Sequence, residues 1–155
     1  LMKINEILTL ETILAEVKAN NKENSIEELA EFLCQNRAIA DKSELVRVLL
    51  EREKLGSTGI GENVAIPHAK MKGLNQIIAA FGISKNGVEF DSLDQKPVNF
   101  IFVLLAPENA TGTHLKALAR ISRLLKNQEL KSNLLKASNR EDIYNIILNE
   151  DSKFQ

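Results

Sequence analysis

The chain has 155 residues, which fits one domain of ordinary size, and with 44% hydrophobic residues it can bury a substantial core. Its 20 Lys and Arg nearly cancel 21 Asp and Glu, so there is no electrostatic case for nucleic acid or an anionic membrane as the main partner. The longest uninterrupted apolar run, residues 100–106, is far too short to span a bilayer. One cysteine excludes an internal disulfide framework and fits a reducing compartment, and no apolar signal segment opens the chain, so a cytoplasmic location is expected.

No repeat, linker or low-complexity tract divides the sequence, and six of the seven glycines fall between Gly56 and Gly87. A short strand is expected around residues 12–17. Ser25, with Glu28 three residues on, predicts a capping box opening a helix whose apolar face is Ile26, Leu29, Ala30 and Leu33. Asp41 and Glu44 predict a second helix start, with a stripe of Leu45, Val48 and Leu49. After Gly56 the pattern turns to β. Residues 64–66 are short and branched and stop at Pro67, whereas 76–83 and 98–105 are near-continuous apolar runs suited to strands covered on both faces. Asn86-Gly87 between them is a turn signal. Helical spacing returns from Thr113, with Leu115, Leu118, Ala119 and Ser122 on one side and then Leu124 and Leu125. A short segment at 130–135 and a helix at 140–148 close the chain. Helices on both sides of a strand-rich middle predict an α/β protein, a three-layer α/β/α sandwich with a mixed central sheet.

The most informative stretch is Gly59-Ile60-Gly61-Glu62-Asn63-Val64-Ala65-Ile66-Pro67-His68-Ala69. Proline fixes its own φ and keeps Ile66 extended, so His68 is presented at a defined angle just past a buried strand. A largely neutral imidazole so placed has three roles open to it: covalent nucleophile, metal ligand, or a ring hydrogen-bonded for structure alone. Arg52 continues the apolar stripe of the second helix, where a permanent cation calls for an anion such as a phosphoryl group or snorkels to water. His114 follows Thr113, a candidate N-cap, which sets the ring in a first helical turn where free amides favour anions.

Other signals are weaker. Gly59-Ile60-Gly61 lacks the Gly-Lys-Ser/Thr that would make a nucleotide loop, and Cys34 reads as a small core residue. A zinc site from His68, His114 and a carboxylate such as Glu108 has no H-x-x-x-H or cysteine pair behind it.

The sequence resembles the enzyme IIA domains of the fructose/mannitol family, including its nitrogen-related branch, of the bacterial phosphoenolpyruvate-dependent sugar phosphotransferase system. The resemblance rests on Glu53 followed by Ser57-Thr58-Gly59-Ile60-Gly61, on Val64-Ala65-Ile66-Pro67-His68-Ala69, on Lys96-Pro97-Val98, and on Ala106-Pro107-Glu108 running to His114-Leu115. It extends from about Ile4 to Leu148. Departures are Glu62-Asn63, in a loop often richer in glycine, and Gln95, where glycine is common. The resemblance implies one enzyme IIA-like domain over residues 2–150 with a tail at 151–155. It also implies that His68 accepts a phosphoryl group from HPr or an HPr-like carrier, through Nε2, and passes it to an enzyme IIB component for sugar uptake. Arg52 would offset the phosphoryl charge and His114 would be the second active-site histidine, in a shallow depression with an apolar rim. No metal and no small-molecule cofactor are implied. The other role the resemblance allows is regulatory, with phosphorylation switching protein partners.

Overall fold

A computed structural model describes residues 2–37 and 39–154, with the side chain of residue 37 left aside. Two single turns of 3-10 helix, Ile4–Glu6 and Leu10–Thr12, lead into β1 (Ile13–Leu14). Two helices follow, α1 (Lys22–Arg37) and α2 (Lys42–Lys54). The strand-rich middle is β2 (Gly59–Gly61), β3 (Val64–Ala65), β4 (His68–Met71), β5 (Ile78–Val88) and β6 (Val98–Pro107). Three helices close the chain: α3 (Thr111–Leu124), α4 (Gln128–Lys136) and α5 (Arg140–Asp151). Among the described residues no helix is long and apolar enough to cross a membrane.

The six strands form one sheet in the order β1-β5-β6-β3-β2, with β4 paired to β6 beyond β3. β5 and β6 are antiparallel, as are β2 and β3, whereas β1 lies parallel to β5 and both β3 and β4 lie parallel to β6. The sheet is therefore mixed, as expected. Because side chains alternate along a strand, the apolar runs of β5 and β6 supply both faces. Phe81, Ile83, Phe100, Phe102 and Leu104 pack with Ile121, Leu134 and Ile147 of α3, α4 and α5. Ala80, Ile101, Val103 and Leu105 pack with Leu29, Leu33, Leu45 and Leu49 of α1 and α2. Two cores thus flank one sheet, which gives the three-layer sandwich.

Several local expectations need correction. The helix of Ser25 begins at Lys22, with Asn21 capping the amide of Asn24 (2.9 Å); Ser25 lies inside, donating to the Lys22 carbonyl (2.8 Å). Glu28 instead reaches back to the amides of Lys18 and Ala19. The strand expected over 12–17 is reduced to β1 and one further contact, from the Val17 amide to the Ile83 carbonyl (2.7 Å). Asn86-Gly87 does not end a strand: it makes an irregularity inside β5, with Gly87 at φ 89° and its amide on Ser84 Oγ. The Asp41 cap stands as expected, accepting from the Glu44 amide (3.0 Å). α5 runs through Asp151, the first residue of the expected tail. Its buried carboxylate accepts from Arg120 Nε (2.6 Å) and from the Ile4 amide (2.9 Å). Residue 155 of that tail lies outside the described residues.

Candidate active site

The edge of the sheet where β4 lies against β6 is where both helical layers meet. Ala69 and Met71 of β4 join the core under α1 and α2, so alternation turns His68 and Lys70 the other way, toward the start of α3. Pro67 cannot donate a ladder bond, but its carbonyl accepts the Leu104 amide (2.9 Å), which ties the strand start to β6 just before His68. His68 Nδ1 lies 2.7 Å from the Ile66 carbonyl. A carbonyl only accepts, so Nδ1 carries the proton and Nε2 keeps its lone pair. Nε2 makes no hydrogen bond among the described residues.

His114 meets it from α3. The two rings are 5.4 Å apart between centroids and edge-on at 76°. His114 is 6% exposed, and its Nε2 is buried with no hydrogen-bond partner among the described residues. Its helix starts three residues earlier than the sequence suggests: Ala110, not Thr113, is the N-cap, and the His114 amide closes the first turn on the Ala110 carbonyl (2.9 Å) rather than standing free. The apolar face differs too, running through Ala117, Ile121 and Leu124, with Leu115 turned to solvent.

Arg52 comes from the opposite layer, in the last turn of α2. It does not continue the core stripe. The buried line is Leu45, Leu49 and Glu53, at successive i+4 steps, and Arg52 stands at its margin, half-buried. Its Nη1 donates to the Gly56 carbonyl (2.8 Å). Arg52, His68 and His114 together line one open depression of about 650 Å3, with Val48, Leu55 and Lys70 on its walls. All three residues singled out from sequence are therefore brought together. Glu108 is not with them, and among the described residues no three His, Cys, Asp or Glu side chains gather as a metal-binding group.

Both imidazoles are held neutral. Burial pushes the His68 pKa down, the Arg52 charge adds to this, and the Ile66 carbonyl and the Glu53 carboxylate oppose it. Burial, with smaller contributions from His68 and Lys70, takes His114 down to about 4. The ensemble offers a neutral nucleophilic nitrogen, a second neutral ring and a fixed cation around one depression.

Sequence reasoning gave four neighbouring residues no place at the site. Lys70 stands two residues past His68 on the same strand face, and its Nζ donates to Thr111 Oγ1 (2.6 Å) at the mouth of the site; strand alternation would have found it. Glu53 is buried where the α2 register, continued four residues past Leu49, would have put it. Leu55, 84% exposed, lines the depression, and Leu115, 62% exposed, follows His114. A large exposed leucine has no sequence signal of its own, so the place of Leu55 on the wall is visible only in three dimensions. The Glu62-Asn63 loop and Gln95 adopt φ values of 57°, 69° and 61°, the left-handed region that glycine enters freely, so the loop keeps a glycine-like path without glycine.

An α/β sandwich with a paired-histidine depression at a sheet edge defines the class of protein. The chain belongs to the family described as phosphoenolpyruvate-dependent sugar phosphotransferase system, EIIA 2, whose profile matches residues 6–150. It is 41% identical over 150 residues to the fructose-specific EIIABC component of the phosphotransferase system of Bacillus subtilis, covering 97% of this chain and 24% of that protein. The chain thus spans about a quarter of the length of that relative. It is 39% identical over 146 residues to a nitrogen regulatory protein of Bradyrhizobium diazoefficiens, covering 94% of this chain and 95% of that one. Among solved structures, nitrogen regulatory protein IIA-Ntr from Neisseria meningitidis superposes with a TM-score of 0.85 at 36% identity, covering 93% and 98% of the two chains.

Proposed function

We propose that this protein is a cytoplasmic phosphocarrier in which His68 takes a phosphoryl group from HPr or an HPr-like domain and hands it to an enzyme IIB component. The observation that supports it most is the state of His68. Its Nδ1 proton is engaged by the Ile66 carbonyl, and its Nε2 lone pair is free beside His114 and Arg52. In the transfer, Nε2 forms the new N–P bond as the bond from phosphorus to the donor's ring nitrogen breaks, and the donor nitrogen recovers that electron pair. The protein's contribution is alignment and charge compensation. Arg52 offsets the equatorial oxygens. The unbonded Nε2 of His114 is available to a phosphoryl oxygen once the group is loaded. Leu55 and Leu115 give donor and acceptor an apolar surface to dock against.

A regulatory role has its own support in the nitrogen regulatory relatives, one of which this chain matches nearly end to end. There the loaded phosphate would act as a charge switch on partner binding.

The test is intact-mass measurement after incubation with phosphoenolpyruvate, enzyme I and HPr. One acid-labile phosphoryl group is expected, lost in His68→Ala. Arg52→Ala should slow loading by roughly 10²–10³-fold, the usual effect of removing one charge-stabilising donor. His114→Ala should still load but discharge poorly to an added IIB domain. Normal discharge would remove His114 from the mechanism, and loading of His68→Ala would overturn the assignment of the acceptor. Rapid discharge to a permease IIB favours uptake; phosphate-dependent binding to another protein without discharge favours regulation.

A further inference from the structure

Phosphoryl transfer as described does not use Glu53, yet the residue is only 8% exposed and is bonded throughout. Its Oε1 accepts the Thr58 amide (3.0 Å) and lies 3.3 Å from Lys22 Nζ of α1, and its Oε2 accepts the Thr58 hydroxyl in a short bond. A hydrogen-bonded series continues from there. The Thr58 carbonyl accepts the Ile66 amide (3.0 Å), and the Ile66 carbonyl accepts Nδ1–H of His68 (2.7 Å). A second branch reaches the cation: the Glu53 carbonyl accepts the Gly56 amide (3.1 Å), and the Gly56 carbonyl accepts Arg52 Nη1–H (2.8 Å). Glu53 therefore stands behind both the nucleophile and its charge partner.

A neutral histidine free in water favours the Nε2–H tautomer, in which Nε2 has no lone pair to offer a phosphorus atom. The acceptor behind Nδ1 must therefore be held in place for His68 to react. A carboxylate is costly to bury for packing alone, since its lost hydration must be offset by bonds to the charge. We propose that Glu53 is a positioning residue, whose carboxylate fixes Thr58 and through it the Ile66 carbonyl, locking His68 as the Nδ1–H tautomer with Nε2 free for attack. The inference rests on His68 being the phosphoryl acceptor. A second effect accompanies the lock: the negative charge of Glu53 supports the basicity of His68 against burial and the charge of Arg52, with His114, Lys70, Glu51 and Lys54 the other titratable groups lining the depression.

The experiment is 15N NMR of the imidazoles in the full chain, combined with a time course of loading by phosphoenolpyruvate, enzyme I and HPr. In the parent, His68 should be the Nδ1–H tautomer at neutral pH. Glu53→Ala, with a dispersed amide spectrum, should give a mixture of tautomers and load roughly tenfold more slowly, the scale seen for hydrogen-bonded partners behind ligating histidines. Glu53→Gln keeps an oxygen for the Thr58 amide and so should keep the tautomer. Without the charge, its His68 pKa should fall and its loading should slow only a few-fold. A folded Glu53→Ala with the parent tautomer and rate, even if less stable, overturns the proposal. Where Glu53→Ala does not fold, Glu53→Asp, whose shorter side chain cannot hold both the Thr58 amide and its hydroxyl, takes its place, and the parent tautomer with the parent loading rate in that variant overturns the proposal. A parent protein that takes no phosphoryl group defeats the acceptor reading instead, while the tautomer and pKa measurements still decide the role of Glu53.

Discussion

His114 couples the chemistry of the site to the stability of the fold. Unfolded, an imidazole titrates near 6.5; in the folded protein burial holds His114 down to about 4. Between those values the unfolded chain binds the proton and the folded chain does not. Stability is therefore undiminished above about 6.5 and falls as the pH drops through that window. His68 shifts in the same direction. In urea unfolding between pH 7.5 and 4.5, His114→Asn should lose less stability than the parent, by on the order of 1 kcal/mol. Parallel pH profiles for the two proteins would show that His114 is not held neutral by the fold. At this scale the sequence was most legible where geometry is imposed locally, as for His68 behind Pro67. For Glu53 the α2 register marks a buried position, but the partners that offset its charge, an amide five positions on and a lysine from another helix, cannot be read from spacing.

Between elements, helix bodies and strands followed from apolar spacing, and their ends often did not. Ser25 and Thr113 are good capping residues by type, but Asn21 and Ala110 take those positions, Asn21 where the chain is bridged to Glu89 and Ala110 shortly after β6 ends at Pro107. Side-chain chemistry marks an eligible start; the path of the preceding chain decides among them. Gly82 of β5 shows the same dependence on a neighbour. A methyl group there would meet Val17 Cγ2 at 2.6 Å and Leu29 Cδ2 at 3.0 Å, so the glycine is what lets α1 settle on the sheet. Gly82→Ala should cost about 1–3 kcal/mol by overpacking, read as a lower midpoint in urea unfolding. A midpoint equal to the parent's would mean that α1 shifts without cost.

Over the whole molecule, the ends of the chain are joined through Asp151, which takes the Ile4 amide and Arg120 together. Arg120 and Arg123 also stand over the ring of Phe154, at 5.5 and 4.4 Å from its centroid. Asp151→Ala takes the carboxylate from the Arg120 guanidinium, itself nearly buried, leaving it only the Asp151 carbonyl, and should cost about 3 kcal/mol, measurable as a depressed thermal midpoint. A change under 1 kcal/mol would show that solvent replaces the carboxylate freely. The layered architecture was legible because near-continuous apolar strands demand cover on both faces. The closure through Asp151 was not, since nothing in the sequence links residues 147 positions apart.

Two separate cores lie on opposite sides of the sheet, and the depression draws Arg52 from one layer and His114 from the other. An intermediate with only one layer docked would present a lone imidazole lacking either its cation or its companion ring. In the proposed role, competence to take a phosphoryl group therefore requires both layers to be docked at once, and a half-melted chain would not load.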